Sequence, residues 1–118
     1  MMKIFESEYR FMQILWEYEP VNSTELVKLC NQELGWKKST TYTVIKKLAQ
    51  KHALANENAT VTSLVTKETV DRQAGEELLE RTCNGNIPAF LAAFLKDRKL
   101  SKEDVDKIKQ LIDEAEEG

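Results

Sequence analysis

One stretch of the sequence combines cationic, hydroxyl and aromatic side chains and contains no acidic residue. It runs from Leu34 to Asn56 of a 118-residue chain whose formal net charge is −3. It contains Lys37, Lys38, Lys46, Lys47 and Lys51, grouped around the polar run Ser39-Thr40-Thr41-Tyr42-Thr43. Ammonium groups bind phosphates, and hydroxyl groups can hydrogen-bond to base edges. The stretch therefore favours contact with a nucleic acid, while a solvated lysine-rich helix is the alternative interpretation.

The same stretch has the apolar spacing of an amphipathic helix. Four residues recur at i, i+3, i+4 and i+7, as on the side of a helix that packs against a core: Thr41, Val44, Ile45 and Leu48. The opposite side would then face the solvent. It carries Ser39, Tyr42, Thr43, Lys46, Lys47 and Gln50.

Other kinds of chemistry find little support in the sequence. No zinc-ligand spacing, glycine-rich phosphate loop or calcium-binding loop is present. His52 is the only histidine, and no nucleophile and base can be paired around it. Cys30 and Cys83 belong to separate predicted elements. We therefore expect no enzyme, no metal site and no cofactor.

Length and charge predict two parts of different character. Residues 1–67 carry nine Lys and Arg against seven Asp and Glu, a balance of +2, whereas residues 68–118 carry eight against thirteen, a balance of −5. A basic half is typical of a surface that meets a polyanion. We expect a DNA-binding domain in residues 1–67 and a second domain in residues 68–118. No apolar run reaches the roughly 18–20 residues that span a bilayer, and the two cysteines form no motif, which predicts a cytoplasmic protein without membrane insertion.

Residues 1–67 are predicted to form three short helices followed by a β-hairpin. Ser7 is expected to N-cap the first helix, and Asn22 the second. Gly35 is expected to close the second helix. After the third helix, a polar turn at residues 56–58 would lead into the β-branched strand at residues 60–65. This order of elements is that of a winged helix-turn-helix.

Residues 68–118 are predicted to form a three-helix dimerisation domain. The segment from Ala89 to Leu95 is apolar almost all round, as in a helix that is buried from several sides. Three short helices cannot bury it alone, so we expect a second copy to cover it through a symmetric interface. The residues assigned to this interface are Leu78, Phe90, Leu91, Phe94, Leu95, Val105, Ile108 and Ile112. The predicted fold class is mainly α with a small β-hairpin, a winged helix-turn-helix plus a C-terminal helical dimerisation domain.

Several motifs, in order, resemble the penicillinase and methicillin-resistance repressor family (BlaI/MecI/CopY-type transcriptional regulators) over nearly the whole chain. The most specific is Trp36-Lys37-Lys38-Ser39-Thr40-Thr41-Tyr42-Thr43-Val44-Ile45-Lys46-Lys47-Leu48. It is similar to the family pattern of Trp, two threonines three apart, a hydrophobic pair, and Arg or Lys before Leu. Shorter matches are Ser7-Glu8-Tyr9, Met12-Gln13-Ile14-Leu15-Trp16-Glu17, Pro20-Val21, Glu25-Leu26 and the tail from Ala89 to Leu95 followed by Leu100-Ser101-Lys102-Glu103-Asp104-Val105.

The resemblance implies a transcriptional repressor. Such proteins are winged-helix homodimers that bind a double-stranded, pseudo-palindromic operator with TACA/TGTA-like half-sites through a recognition helix in the major groove. Position by position, base edges and nearby phosphates would be contacted by Lys38, Ser39, Thr40, Tyr42 and Thr43. Lys46 and Lys47 would lie on the DNA backbone. The alternative is a winged-helix protein–protein interaction module without sequence-specific DNA binding, which the acidic net charge favours.

The sequence also departs from the family pattern at several positions. An inducing protease or sensor system is an implied partner, but the family's cleaved Asn-Phe bond corresponds to Ala93-Phe94 here. The C-terminal Cys-x-Cys cluster of the copper-responsive branch is missing, so copper sensing is not expected. His52 stands where the family usually has a glycine in a left-handed helix cap. The hairpin tip, residues 56–62, has no Lys or Arg, so its grip on phosphate should be weak.

Overall fold

The computed structural model describes residues 3–117, which form six helices and a small antiparallel sheet. The helices are α1 (Glu6–Tyr18), α2 (Ser23–Leu34), α3 (Lys38–Gln50), α4 (Lys67–Cys83), α5 (Ile87–Leu95) and α6 (Lys102–Ala115). The strands are β1 (Val21–Asn22), β2 (Leu54–Glu57) and β3 (Thr60–Ser63), in the order β1-β3-β2. The predicted class, mainly α with the element order of a winged helix, is confirmed. None of the helices in this range is long and apolar enough to cross a membrane.

The chain divides by its internal contacts into two compact units, Met1–Gly75 and Glu76–Gly118. The core of the first unit is built by α1, α2, α3 and the sheet. Its fully buried side chains include Phe11, Leu15, Leu26, Leu48 and Val61. The division falls inside α4, and the domain boundary that we predict after residue 67 stays a prediction.

The N-termini of α1 and α2 are stabilised by different hydrogen bonds. Asn22 caps α2 as predicted, because its Oδ1 accepts the backbone N–H of Thr24 at 2.8 Å. The predicted cap by Ser7 is wrong. The N-cap position of α1 is Phe5, two residues earlier, and its N–H donates to Oε1 of Glu8 at 2.9 Å. The carboxylate of the third helical residue therefore satisfies the backbone N–H of the N-cap residue, and no hydroxyl group caps this helix.

The sheet has one strand more than the predicted hairpin. Strand β1 pairs with β3 through Val21 and Val61, which closes the sheet next to the start of α2. The hairpin of β2 and β3, residues 54–63, is called the wing below. Its turn is shorter than predicted, because Glu57 pairs with Thr60 and leaves only Asn58 and Ala59 between the strands. Both turn residues have positive φ, 51° and 64°, as a tight two-residue hairpin turn requires.

The start of α4 is fastened to α1 by side chains. Nε1 of Trp16 donates to the carbonyl oxygen of Val65 at 2.9 Å, and the hydroxyl of Tyr9 donates to Oδ1 of Asp71 at 2.6 Å. Nζ of Lys67 donates to the other oxygen of the same carboxylate at 2.6 Å. The hydrogen bond from Lys67, followed by that from Tyr9, lowers the pKa of the Asp71 carboxyl. The first turns of α4 therefore belong physically to the first unit.

Left-handed backbone at the ends of two helices allows a matched stability test. Gly35 ends α2 at φ 70°, and His52 follows α3 at φ 62°. His52 is exposed, so little packing is lost with its side chain. A non-glycine residue in this conformation is strained by about 1–2 kcal/mol, whereas glycine adopts it readily at some cost in chain entropy. We expect His52→Gly to raise the free energy of unfolding by about 0.5–1 kcal/mol in urea titrations.

The reverse substitution at Gly35 is the control. Space around its Cα is open, so Gly35→Ala adds conformational strain without a clash. We expect it to lower the free energy of unfolding by about 1 kcal/mol. A His52→Gly variant that is less stable than the wild type would contradict the assigned backbone conformation.

Candidate nucleic-acid interface

Helix α3 presents all of the predicted DNA-contacting residues to solvent. The predicted stripe of Thr41, Val44, Ile45 and Leu48 is buried against the core. The seven predicted DNA-binding residues are exposed: Lys38, Ser39, Thr40, Tyr42, Thr43, Lys46 and Lys47. The structure therefore brings them together on the free side of one helix, and their role in binding DNA stays a prediction.

The first turn of α3 has a feature that the reading of the sequence missed. Lys37 occupies the N-cap position, its side chain caps no backbone group, and the first turn contains no acidic residue. By contrast, α2, α5 and α6 are each capped by an Asn or Ser side chain. Uncapped N–H groups at a helix N-terminus attract anions such as phosphate, because they carry partial positive charge. Lys37 stands where Ser, Thr, Asp or Asn is preferred as an N-cap, and this could have indicated the uncapped helix from the sequence.

Hydrogen bonding within α3 limits what Thr43 can offer to a base. Its Oγ1 donates to the carbonyl oxygen of Ser39 at 2.9 Å, so its proton is already used. The oxygen can still accept a hydrogen bond, and the methyl group can make apolar contact. In the major groove these properties match the amino group of adenine or cytosine and the methyl group of thymine.

A lysine and an aromatic ring lie side by side in the first two turns of α3. Nζ of Lys38 is 5.9 Å from the centre of the Tyr42 ring, at the outer limit of a cation–π contact. Tyr42 is the one aromatic residue of α3, and it is 36% exposed. The pair offers a cation for phosphate or guanine beside a flat ring with a hydroxyl group.

Lys51 belongs to the lysine-rich stretch, but it does not lie on the exposed side of α3. Its Nζ donates to Oε1 of Glu8 at 2.6 Å and to the carbonyl oxygen of Lys3 at 2.9 Å. It also lies 4.6 Å from the ring centre of Phe5. The side chains of Lys51 and Glu8 are 26% and 5% exposed, respectively. Lys51 therefore neutralises an almost buried carboxylate and ties the end of α3 to the start of α1.

The thiol of Cys30 and the acidic side chains complete the description of the reactive groups. Burial raises the pKa of the Cys30 thiol to about 11, so it is protonated at neutral pH and packs as a small apolar side chain. Between residues 3 and 117, no group of three or more His, Cys, Asp or Glu side chains could hold a metal ion.

In the second unit, the predicted dimerisation residues are only partly covered by the single chain. Leu78, Phe90, Val105 and Ile108 are half-buried. Phe94, Leu95 and Ile112 are 47%, 41% and 54% exposed, and Leu91 is 36% exposed. No side chain of α5 or α6 is fully buried. Phe90 and Phe94 pack edge to face with ring centres 4.8 Å apart, which leaves an aromatic pair at the surface of α5.

Among known proteins, a family model and one relative point to the same family. A family model described as "Penicillinase repressor" matches residues 4–114. The penicillinase repressor of Bacillus licheniformis is 24% identical over 117 residues, covering 95% of this chain and 91% of the relative. An uncharacterized 16.5 kDa protein of Latilactobacillus sakei is 30% identical over 114 residues, covering 93% and 78%. The solution structure of the DNA binding domain of the repressor BlaI aligns with a TM-score of 0.48 at 24% identity, covering 57% of this chain and 90% of that chain.

The structural role of Lys51 can be separated from that of its neighbours by stability measurements. Lys51→Met keeps most of the aliphatic part of the side chain, but it removes the cation that pairs with the almost buried Glu8 carboxylate. We expect the free energy of unfolding in urea to fall by about 2 kcal/mol, below the range for fully buried pairs because Lys51 is partly exposed. The matched control, Lys47→Met in the same helix, should change it by less than about 0.5 kcal/mol. Equal stability of the two variants would refute the structural assignment of Lys51.

Proposed function

The chain belongs to the penicillinase repressor family of winged-helix DNA-binding regulators, and we propose that it represses transcription as a homodimer on a pseudo-palindromic operator. One observation carries the proposal: an exposed, acid-free side of α3 that holds hydroxyl groups, a tyrosine and lysines. Bound there, the dimer would block access of polymerase to a promoter. A protein with this function works in the cytoplasm, where the DNA is.

The exposed residues of α3 divide by their distance from its N-terminus. The N-terminal part of a recognition helix enters the major groove, so Lys38, Ser39, Thr40, Tyr42 and Thr43 would meet base edges and nearby phosphates. Lys46 and Lys47 would lie along the DNA backbone and set the register without reading sequence. The uncapped N–H groups of the first turn would add a phosphate contact that no substitution of a side chain removes.

Residues 68–118 would supply the dimer. Apolar side chains of α5 and α6 stay at the surface of the single chain, and exposed apolar patches of this kind mark association sites. A symmetric pair buries the same patch twice, with Phe94 and its neighbours on both sides. The two recognition helices would then lie one DNA turn apart, roughly 34 Å, or a multiple of that. TACA/TGTA-like half-sites are the proposed targets.

Induction concerns the segment of α5 that contains Ala93 and Phe94. A protease or sensor system of the kind that the family implies would have to recognise Ala93-Phe94, which lies inside α5. We propose that release from DNA does not depend on an Asn-Phe bond in this protein, since none is present at that position.

A protein–protein interaction module is the second candidate, because the wing carries no cation and contains Glu57. Salt dependence separates the two functions. Lysine contacts to phosphates release counterions, so operator affinity should fall steeply as salt rises. An interaction module that has lost DNA binding would show no such dependence and no preference for an operator.

The DNA-binding prediction is tested by titrating duplexes at a moderate, fixed salt concentration. A duplex with an inverted TACA/TGTA repeat should bind better than a scrambled duplex of equal length. Lys46→Ala should weaken binding to both by a similar factor. Thr43→Ala and Tyr42→Ala should each weaken operator binding more than scrambled binding, by about 1–3 kcal/mol, because they lose base discrimination. Fluorescence anisotropy gives all of these affinities.

The matched control for Thr43 is Thr43→Val, which keeps the methyl group and removes the accepting oxygen. Equal losses on operator and scrambled DNA for both Thr43 and Tyr42 would count against base reading by these residues. No preference of the wild type for any inverted TACA/TGTA duplex would refute the repressor proposal.

The dimer prediction is tested at Phe94, which is 47% exposed in the single chain. Phe94→Asp places a charge in the proposed apolar interface, where its desolvation is strongly unfavourable. Sedimentation should report a monomer for this variant and a dimer for the wild type. Asn84→Asp adds the same charge in the exposed turn between α4 and α5 and should leave the dimer intact. A dimer that survives Phe94→Asp would refute the placement of the interface.

A further inference from the structure

The tip of the wing is held in one position by the backbone. Glu57 is the last residue of β2 and pairs with Thr60 across a turn of only two residues. The carbonyl oxygen of Ala59 in that turn accepts the N–H of Ser23 at 2.7 Å. Thr60 also pairs with Asn22 of β1. The wing tip is therefore fastened to the first residue of α2 and cannot swing independently of it.

This attachment determines which part of the DNA the tip would meet. Helices α2 and α3 are the two helices of the helix-turn-helix, and the first of such a pair crosses the DNA backbone while the second enters the major groove. The start of α2 and the wing tip form one edge of the first unit. With α3 in a half-site, we expect this edge to face backbone phosphates rather than bases.

The only ionisable side chain of the wing, residues 54–63, is a carboxylate. Glu57 is exposed, and within residues 3–117 it takes part in no ion pair shorter than 4 Å. It lies on the solvent side of the sheet, because it alternates with Asn56, whose partner Val61 is buried. Glu25 in the first turn of α2 is also exposed, so the edge carries negative charge. Nothing on the wing compensates it.

From this arrangement we infer that Glu57 limits the affinity of the protein for DNA by repelling backbone phosphate at the wing. The inference rests on the proposed DNA binding and adds to it a residue outside α3. The repulsion acts on operator and non-operator DNA alike, because phosphates carry no sequence information. Its effect is to lower the affinity for every duplex by the same factor, so that the ratio of operator to non-operator affinity is still set by the side chains of α3.

The experiment replaces the carboxylate and follows both affinity and its salt dependence. Glu57→Lys reverses the charge, Glu57→Gln removes it at nearly equal size, and Glu117→Lys is the control that changes the net charge of the chain by the same amount outside the first unit. Each protein is titrated with operator and scrambled duplex at several salt concentrations, after its fold and dimer mass have been checked by circular dichroism and sedimentation.

We expect Glu57→Lys to tighten binding to both duplexes on the order of tenfold at low salt, since each dimer exchanges two repulsions for two attractions. The slope of log affinity against log salt should steepen by roughly 2, one additional phosphate contact for each protomer. Glu57→Gln should tighten binding by a smaller factor, and Glu117→Lys should match the wild type.

Three outcomes would overturn the inference. Equal affinities for the wild type, Glu57→Gln and Glu57→Lys would place the wing away from DNA, while the proposed function would stand on the wild type's operator preference. Equal gains in DNA affinity from Glu57→Lys and Glu117→Lys would show that the effect depends on the net charge of the chain and not on the position of Glu57. A wild type with no operator preference would overturn the proposed function itself, and the inference with it.

Discussion

Burial of one side of α3 determines the surface that the first unit offers to a partner. Val44, Ile45 and Leu48 are at most 8% exposed, and burying each such side chain stabilises the fold by about 1.5–3 kcal/mol. Rotating the helix to expose them would cost more than the net stability of many small domains can absorb. The rotation of α3 about its axis is therefore fixed, and with it the outward direction of Tyr42, Thr43 and Lys46. The exposed surface of α3 that we propose reads DNA is therefore a consequence of the core rather than an independent feature.

The distribution of charge around that helix has two different physical origins. Lys51 is held by the almost buried Glu8 at 2.6 Å and serves the fold. The lysines at positions 37, 38, 46 and 47 are exposed and have no ion pair within 4 Å in the described part of the chain. At the wing the sign reverses, because Glu57 stands where a cation would strengthen a phosphate contact. The proposed affinity therefore depends on α3 and on dimerisation through the exposed apolar side chains of α5 and α6.

The periodicity of the sequence predicts the features that depend on local pattern, but it does not predict those that depend on residues distant in the chain. The buried stripe of α3, the Asn22 cap and the glycine ending of α2 follow from side-chain spacing and backbone preference, and each is confirmed. The Ser7 cap is wrong because α1 begins at Glu6, and there Glu8, held by Lys51 from 43 residues away, accepts the N–H of Phe5. Strand β1 escaped notice because two residues carry no alternation, and only pairing with β3 makes them a strand. The spacing of the five lysines in the sequence could not show that Lys51 has a structural role.

Footprinting on the DNA upstream of the protein's own gene and its neighbours tests the central claim most directly. We expect two protected segments related by a two-fold axis, with centres roughly one helical turn (about 10 base pairs) or a multiple of that apart, and with a TACA/TGTA-like sequence within each. Methylation of guanine N7 in the major groove should interfere with binding inside those segments. Uniform protection without boundaries, or a single protected segment without symmetry, would contradict a dimer that reads two half-sites through α3.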